Sequence, residues 1–254
     1  MFFQSPNKNL SLIVGFLVVF MVFSSLIFPV GAENQQKPVW VDKDKDWVYD
    51  VGEPTFDTIQ YAIDAASQGD WIGVNATLYN PTGDMVKENV VVNKEGLYIK
   101  SLNGYALVNA SDTGKPVFNI TVNDVIIDGF RITEGLIGIY ACEVNNCTLT
   151  RNQAYNNNRN GIGVFDSLKC NLTGNQAYNN WGGIAVGYLD GCVILNNFVA
   201  NNTIHGIWLE YSNQTYIVGN TIINNTGVYP LSGIHIDSKS TENKIHYNNI
   251  LDNT

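Results

Sequence analysis

Charged side chains are scarce in this chain of 254 residues, at 15%, and basic ones are scarcest: Lys plus Arg number 14 against 23 Asp plus Glu, a formal net charge of -9. No basic run or basic helix face occurs. Nucleic-acid affinity comes mainly from Lys and Arg neutralising phosphates, so no nucleic-acid partner is expected. Adhesion to anionic lipid is disfavoured for the same reason. Histidine and methionine are rarer still, 3 of each, which leaves little to build a copper site from imidazole and thioether ligands. Asparagine, by contrast, is about one residue in seven. Asn disfavours helices and favours turns and left-handed backbone, so the chain must turn very often.

Apolar residues are not evenly spread either. Leu10 to Val30 is almost wholly apolar, with Lys8 before it and Gly31-Ala32-Glu33 after it. Small residues there read as a secretory cleavage site, while the run is also about long enough to span a bilayer. Residues 1–32 are therefore a cleaved signal peptide or a retained membrane anchor acting through residues 10–30. Both readings put the remainder outside the cytoplasm, extracellular or at the cell surface.

The remainder is long enough for one sizeable core, and it is written in repeats. Gly-Ile recurs at Gly138, Gly161, Gly183, Gly206 and Gly233, at steps of 23, 22, 23 and 27 residues. Leu149, Leu172, Ile194, Ile217 and Ile245 keep the same step. So do Asn152, Asn175, Asn197, Asn220 and Asn248, and the doublets Asn156-Asn157, Asn179-Asn180, Asn201-Asn202, Asn224-Asn225 and Asp252-Asn253. A fixed period of this size fixes the architecture. About 22 residues cannot hold two helices. Apolar residues two apart, as in Ile162/Val164 and Ile207/Leu209, give short strands, and Asn and Gly separate them. Three strands and three turns per unit make one coil of a parallel β-helix, with like residues stacking at about 4.8 Å. The fold class is all-β, a single-stranded parallel β-helix. The Asn152 column is expected at a bend as an amide ladder, in left-handed backbone. Phe118/Ile120, Val125/Ile127 and Phe130/Ile132 form an earlier coil, Val90/Val92, Leu97/Ile99 and Ala106/Val108 another, and Asp70–Val74 begins the first.

An open coil end invites aggregation. At the N-terminal end Asp57 is expected as N-cap with Gln60 at N3, and Ile59, Ala62, Ile63 and Ala66 as the apolar face of a short amphipathic helix laid over the first coil. Residues 33–70 are thus the lead-in strand and helix cap, and 71–254 the β-helix. The C-terminal coil shows no cap signal, so either the chain is a fragment or an end-to-end contact with a partner is expected there.

Thr58–Asp70, then Glu88-Asn-Val-Val-Val and Asp128-Gly-Phe-Arg-Ile, then the Asn-rich repeats, resemble the right-handed β-helix group of carbohydrate-binding proteins and sugar hydrolases. The branch they resemble shares its repeat domain with the copper-maturation protein NosD, and archaeal cell-surface proteins are similar. The resemblance covers roughly residues 38–254 and implies a right-handed β-helix. The shared residues are structural. No polygalacturonase-like Gly-His-Gly or Arg-Ile-Lys segment occurs, and no esterase-like Asp/Asp/Arg set.

Candidate chemistry lies on the face that follows each Gly-Ile. Tyr188, Trp208, Tyr211 and His235 are expected to bind a ligand there, the aromatic rings stacking on sugars. Glu210 and Asp237 share a column on adjacent coils, near the spacing of a glycosidase pair, and are the catalytic candidates. The extra residues of the longest unit, Gly227–Leu231, are expected to overhang this face. Asp42, Asp44 and Asp46 match positions of a calcium loop, although Trp47 stands where Gly would make the sharp turn. Cys147, Cys170 and Cys192 share an inward column and read as buried thiols filling space. Glycosylation sequons occur at Asn75, Asn109, Asn146, Asn201, Asn213 and Asn224, and also at Asn119 and Asn171. The expected role is a non-catalytic exported module presenting a face to polysaccharide, a cell-envelope component or another partner. The alternatives are a polysaccharide hydrolase or lyase, and a NosD-like copper-handling protein.

Overall fold

The computed structural model describes residues 37–80, 86–227 and 233–253. Expectations for residues 1–32 and for the overhanging loop, except Gly227, fall outside them. Among the described residues no helix is long and apolar enough to cross a membrane.

One coil shows how the sequence makes the fold. Asn160–Phe165, Asn171–Thr173 and Gln176–Tyr178 are three strands in three different sheets, and the next coil starts at Gly182. Every unit repeats this, so three parallel sheets run along the axis. The first takes one strand from each coil, from Trp71–Asn75 to Lys244–His246. The second runs from Val86–Lys87 to Asn249–Leu251, and the third from Val90–Val92 to Ile234–Ile236. Register follows the sequence columns: Ile139, Ile162, Ile184, Ile207 and Ile234 are mutual partners, as are Leu149, Leu172, Ile194, Ile217 and Ile245. Most of these side chains are fully buried and form one continuous core.

The Asn columns hold the bends. Asn152, Asn175, Asn197, Asn220 and Asn248 form a ladder in which each Nδ2 donates to the next Oδ1, at 3.2, 3.1, 2.9 and 2.9 Å. A second ladder runs through Asn157, Asn180, Asn202, Asn225 and Asn253, at 3.1, 3.2, 2.8 and 2.8 Å. Each Oδ1 after the first in a ladder also accepts the backbone N–H of the preceding rung's Asn, so buried backbone groups are satisfied at two corners per coil. The left-handed backbone lies one residue earlier than the sequence suggests. Arg151, Gly174, Asn196, Gly219 and Tyr247 have φ of 54°, 66°, 53°, 65° and 57°. The ladder Asn itself is needed inward, and the bend is made by its neighbour. The Gly of each Gly-Ile pair is there for space: a Cβ on Gly183 would overlap Val199 and crowd Asn202 Nδ2.

The N-terminal end is closed by an antiparallel strand and a helix. Val39–Asp42 pairs antiparallel with Trp71–Asn75 and, on its other side, with Thr55–Phe56, the edge strand of the first sheet. Helix α1, Ile59–Ala65, buries Ile59, Ala62 and Ile63 against the core. Its N-cap is Thr58, whose hydroxyl accepts from Tyr61 N at 3.2 Å. Asp57 pairs instead with Lys37 at 2.7 Å. Two further N–H groups of α1, of Ile59 and Gln60, donate at 3.1 Å each to the buried Glu88 carboxylate, which also accepts from Tyr79.

Candidate functional site

The outer face of the third sheet carries a groove. Tyr140, Gly163, Ala185, Trp208 and His235 are register partners, and so are Cys142, Phe165, Gly187 and Glu210. Ala185 is buried and the Phe165 ring covers Gly163 and Gly187, and the groove opens beside them. Its volume is about 530 Å³, and Tyr140, Phe165, Trp181, Tyr188, Trp208 and Glu210 line it, with Arg159 and Asp166 contributing charge. Rigid aromatic faces with a few convergent polar groups on a regular sheet are what a ligand site requires.

Of the four expected ligand-binding residues, Tyr188 and Trp208 line the groove. Tyr188 reaches it from a turn, at φ 55°. Tyr211 stacks on Tyr188, with ring centroids 4.8 Å apart and planes 11° from parallel, while Lys239 stands over its ring at 4.3 Å. Its role is to brace Tyr188. His235 is the next rung beyond Trp208, 6.4 Å ring to ring.

Glu210 is in the groove wall, and Asp237 is at a turn. Asp237 Oδ1 accepts from Tyr211 N at 3.1 Å and Ser240 Oγ at 2.5 Å. Burial pushes its carboxyl up, but these donors and backbone N–H groups hold it below the usual range. Trp181 and Asn160 escaped sequence reasoning as groove residues. They follow or flank the Asn doublets at the corner, where the inward-outward alternation is broken by Gly. A signal was available: Asn158, Trp181, Thr203 and Thr226 are equivalent positions, and one is a tryptophan.

The acidic loop has its own internal order. Asp42, Asp44 and Asp46 each offer an oxygen within 4.8 Å of the others. Asp42 is buried, and its two oxygens accept from Lys45 N at 2.7 Å and Trp47 N at 2.8 Å. Trp47 makes the sharp turn itself at φ 67° and stacks on Trp71, centroids 4.4 Å apart. Cys147, Cys170 and Cys192 are buried and free, as the filler reading expects. They belong to the apolar core, and the hydrogen bond each makes with Cys170, with burial second, pushes Cys147 and Cys192 up. Of the sequons, Asn146, Asn201 and Asn224 are exposed and in left-handed turns. Asn75 caps a short helix, α2 (Ala76–Tyr79), Asn213 accepts from Thr241 N, and Asn109 is fully buried.

Residues 74–254 match the family described as periplasmic copper-binding protein (NosD). The chain belongs to the NosD family. A curated relative of this NosD-family chain is a cell surface glycoprotein of Methanothermus fervidus, 41% identical over 102 residues, which make up 40% of the chain and 16% of the glycoprotein. Among solved structures, pectate lyase Pel9A superposes with a TM-score of 0.56 at 15% identity, over 74% of the chain and 52% of the lyase. That likeness concerns the fold alone. The chain thus spans about half of the lyase and a small part of the glycoprotein. The family name carries copper, but the residues do not fit it. Among the described residues the one group of three ligand atoms in mutual reach is Asp42, Asp44 and Asp46, hard oxygens rather than imidazole or sulfur. His205 and His235 stand in different columns, and the three inward thiols are strung along the axis.

Proposed function

We propose that this chain is an exported cell-surface module whose third-sheet groove binds polysaccharide without cleaving it. The observation that carries the reading is the groove itself, lined by four aromatic side chains, Trp208 and Tyr140 from strands and Trp181 and Tyr188 from the turns beside them. Sugar rings have apolar faces that stack on such side chains, and their hydroxyls suit Glu210 and Arg159 beside them. Export is supported by the apolar segment at residues 10–30, by the family's periplasmic designation and by the relative named a cell surface glycoprotein. The absence of cleavage is supported by Asp237, whose carboxylate is occupied by Tyr211 and Ser240 rather than set opposite Glu210.

The test is retention on a panel of immobilised glycans. Trp208→Ala is expected to weaken retention roughly tenfold, about 1.4 kcal/mol, and Glu210→Gln less. Unchanged retention of both variants on every glycan bound would remove the site. Release of reducing ends by the wild type, lost in Glu210→Gln, would replace binding with hydrolysis.

A further inference from the structure

The chain is acidic overall, yet basic side chains gather at one corner. Where the first sheet turns into the second, Lys100, Tyr105 and Arg151 line a notch of about 190 Å³, and Asp128 is the one acid in its wall. Arg131 stands over the Tyr105 ring, 5.6 Å from its centroid. The third-sheet groove has the opposite balance, Asp166 and Glu210 against Arg159.

A difference in chain length makes the notch. Lys100 and Asp128 are register partners, and so are Ala106 and Phe130. Between them one coil has residues 101–105, and the next has Gly129 alone. Gly104 and Tyr105 of the longer stretch form one wall, and Arg151 of the following coil forms the other. Gly129 belongs to the coil between them and adds no side chain. Its φ of 81° is one that side chains rarely adopt.

The buried Asp128 fixes one of the two cations. It accepts from Arg151 Nε at 2.8 Å and from Arg151 Nη2, and Tyr98 donates to it at 2.9 Å. Two of the five guanidinium N–H groups are thereby used, and three remain on a side chain that is 60% exposed. A guanidinium already held in place loses little freedom when it binds again, and its fork suits the oxygens of an acid group. Lys100 makes no ion pair among the described residues; its ammonium stands over the Trp47 ring at 4.6 Å. Lys100 and Arg151 against Asp128 leave the lining with a single net positive charge. A monoanion neutralises it. A phosphate monoester, close to doubly charged at pH 7, would overshoot.

We propose that this notch binds the monoanionic acid group of an acidic polysaccharide, a carboxylate or a sulfate ester, with Lys100 and Arg151 donating to its oxygens. It shares no residue with the groove and stands independently of the reading given to that face. The experiment titrates the purified full chain with three tetrasaccharides on one β-1,4-glucan backbone: cellotetraose, its C6-carboxylate form (tetraglucuronate) and its C6-sulfate form. The readout is the ¹⁵N–¹H signals of the Gly129 amide and Arg151 Nε. At least one acidic tetramer is expected to shift both saturably, about tenfold more tightly than cellotetraose, and which one does so tells carboxylate from sulfate ester. Salt at about 1 M, which screens charges beyond about 3 Å, is expected to abolish the shift. Lys100→Gln leaves the Asp128–Arg151 pair intact and is expected to weaken binding about threefold at unchanged Tm. Unmoved Gly129 and Arg151 signals, an equal response to cellotetraose, or a shift that survives the salt overturns the site. So does Lys100→Gln binding as tightly as the wild type. If that variant melts lower, the salt and cellotetraose arms on the wild type still decide.

Discussion

The regular coils from Gly138 onward and the irregular coils before them solve the same problem differently. In the regular part, two amide ladders hold two corners of every coil. Both ladders stop at the boundary: Asn152 Oδ1 accepts from Phe130 N at 3.1 Å, and Asn157 Oδ1 from Gly135 N at 3.0 Å. Beyond it Phe130 occupies the ladder column, and its ring packs on Phe118, centroids 5.3 Å apart. The earlier coils therefore fill the corner with an apolar plug and hold themselves by contacts that occur once. Asp128, buried, takes a bidentate pair from Arg151 and a hydrogen bond from Tyr98 at 2.9 Å. Glu88 holds the cap helix. Repetition leaves the outer face of the regular coils free to vary, and the groove lies there. Where contacts are unique, polar side chains are used up in closing the end.

This difference can be broken at either side. Asn175→Ala should have the largest effect. It removes an acceptor for Asn152 N and Nδ2 and a donor to Leu149 O and Asn197 Oδ1. Stranding several buried groups at roughly 1–3 kcal/mol each predicts a loss of about 3–5 kcal/mol in urea unfolding. A loss below about 1 kcal/mol would mean that the ladder is decorative. Arg151→Met should cost less, about 2 kcal/mol, because Asp128 loses its charge partner but keeps Tyr98, and Arg151 is itself largely exposed. Asp128→Asn combined with Arg151→Met should recover part of that loss.

The same contrast explains what could be read from the sequence. A coil's inward residue is demanded again by the next coil, so Ile162, Ile184 and Ile207, or Asn175, Asn197 and Asn220, announce themselves as columns. Contacts made once have no such echo. The cap of α1 is an example: Asp57 has the right local spacing, but Lys37 takes it, and the carboxylate that serves the helix comes from Glu88 in a later segment. On the groove face, Tyr188, Trp208 and Glu210 stand in or beside one column and were legible. Asn160 and Trp181 were not, because the corner glycines shift the alternation there. Asp237 follows Ile236, the register partner of Leu209, as Glu210 follows Leu209, but the hydrogen bonds its carboxylate takes from Tyr211 and Ser240 have no echo in the repeat.

The smallest expected effect concerns pH and the N-terminal cap. Burial pushes the Glu88 carboxyl up, against the downward pull of Tyr79 and the Ile59 and Gln60 N–H groups. The folded state therefore binds the proton more tightly than the unfolded chain does. Its contribution to stability is complete below the ordinary carboxylate range and is lost as pH rises through the folded value. Glu88→Gln removes that titration, although its amide must set a donor against one of the two helix N–H groups. The variant should melt a few degrees below the wild type at pH 4, with the gap narrowing toward pH 7. His205 works in the opposite direction. Its folded value is lowered, so its contribution is present above the unfolded value and is lost as pH falls. Both proteins carry His205, so it cancels in the difference between their melting curves. A gap that stays constant from pH 4 to pH 7 would show that Glu88 has the same proton affinity folded and unfolded.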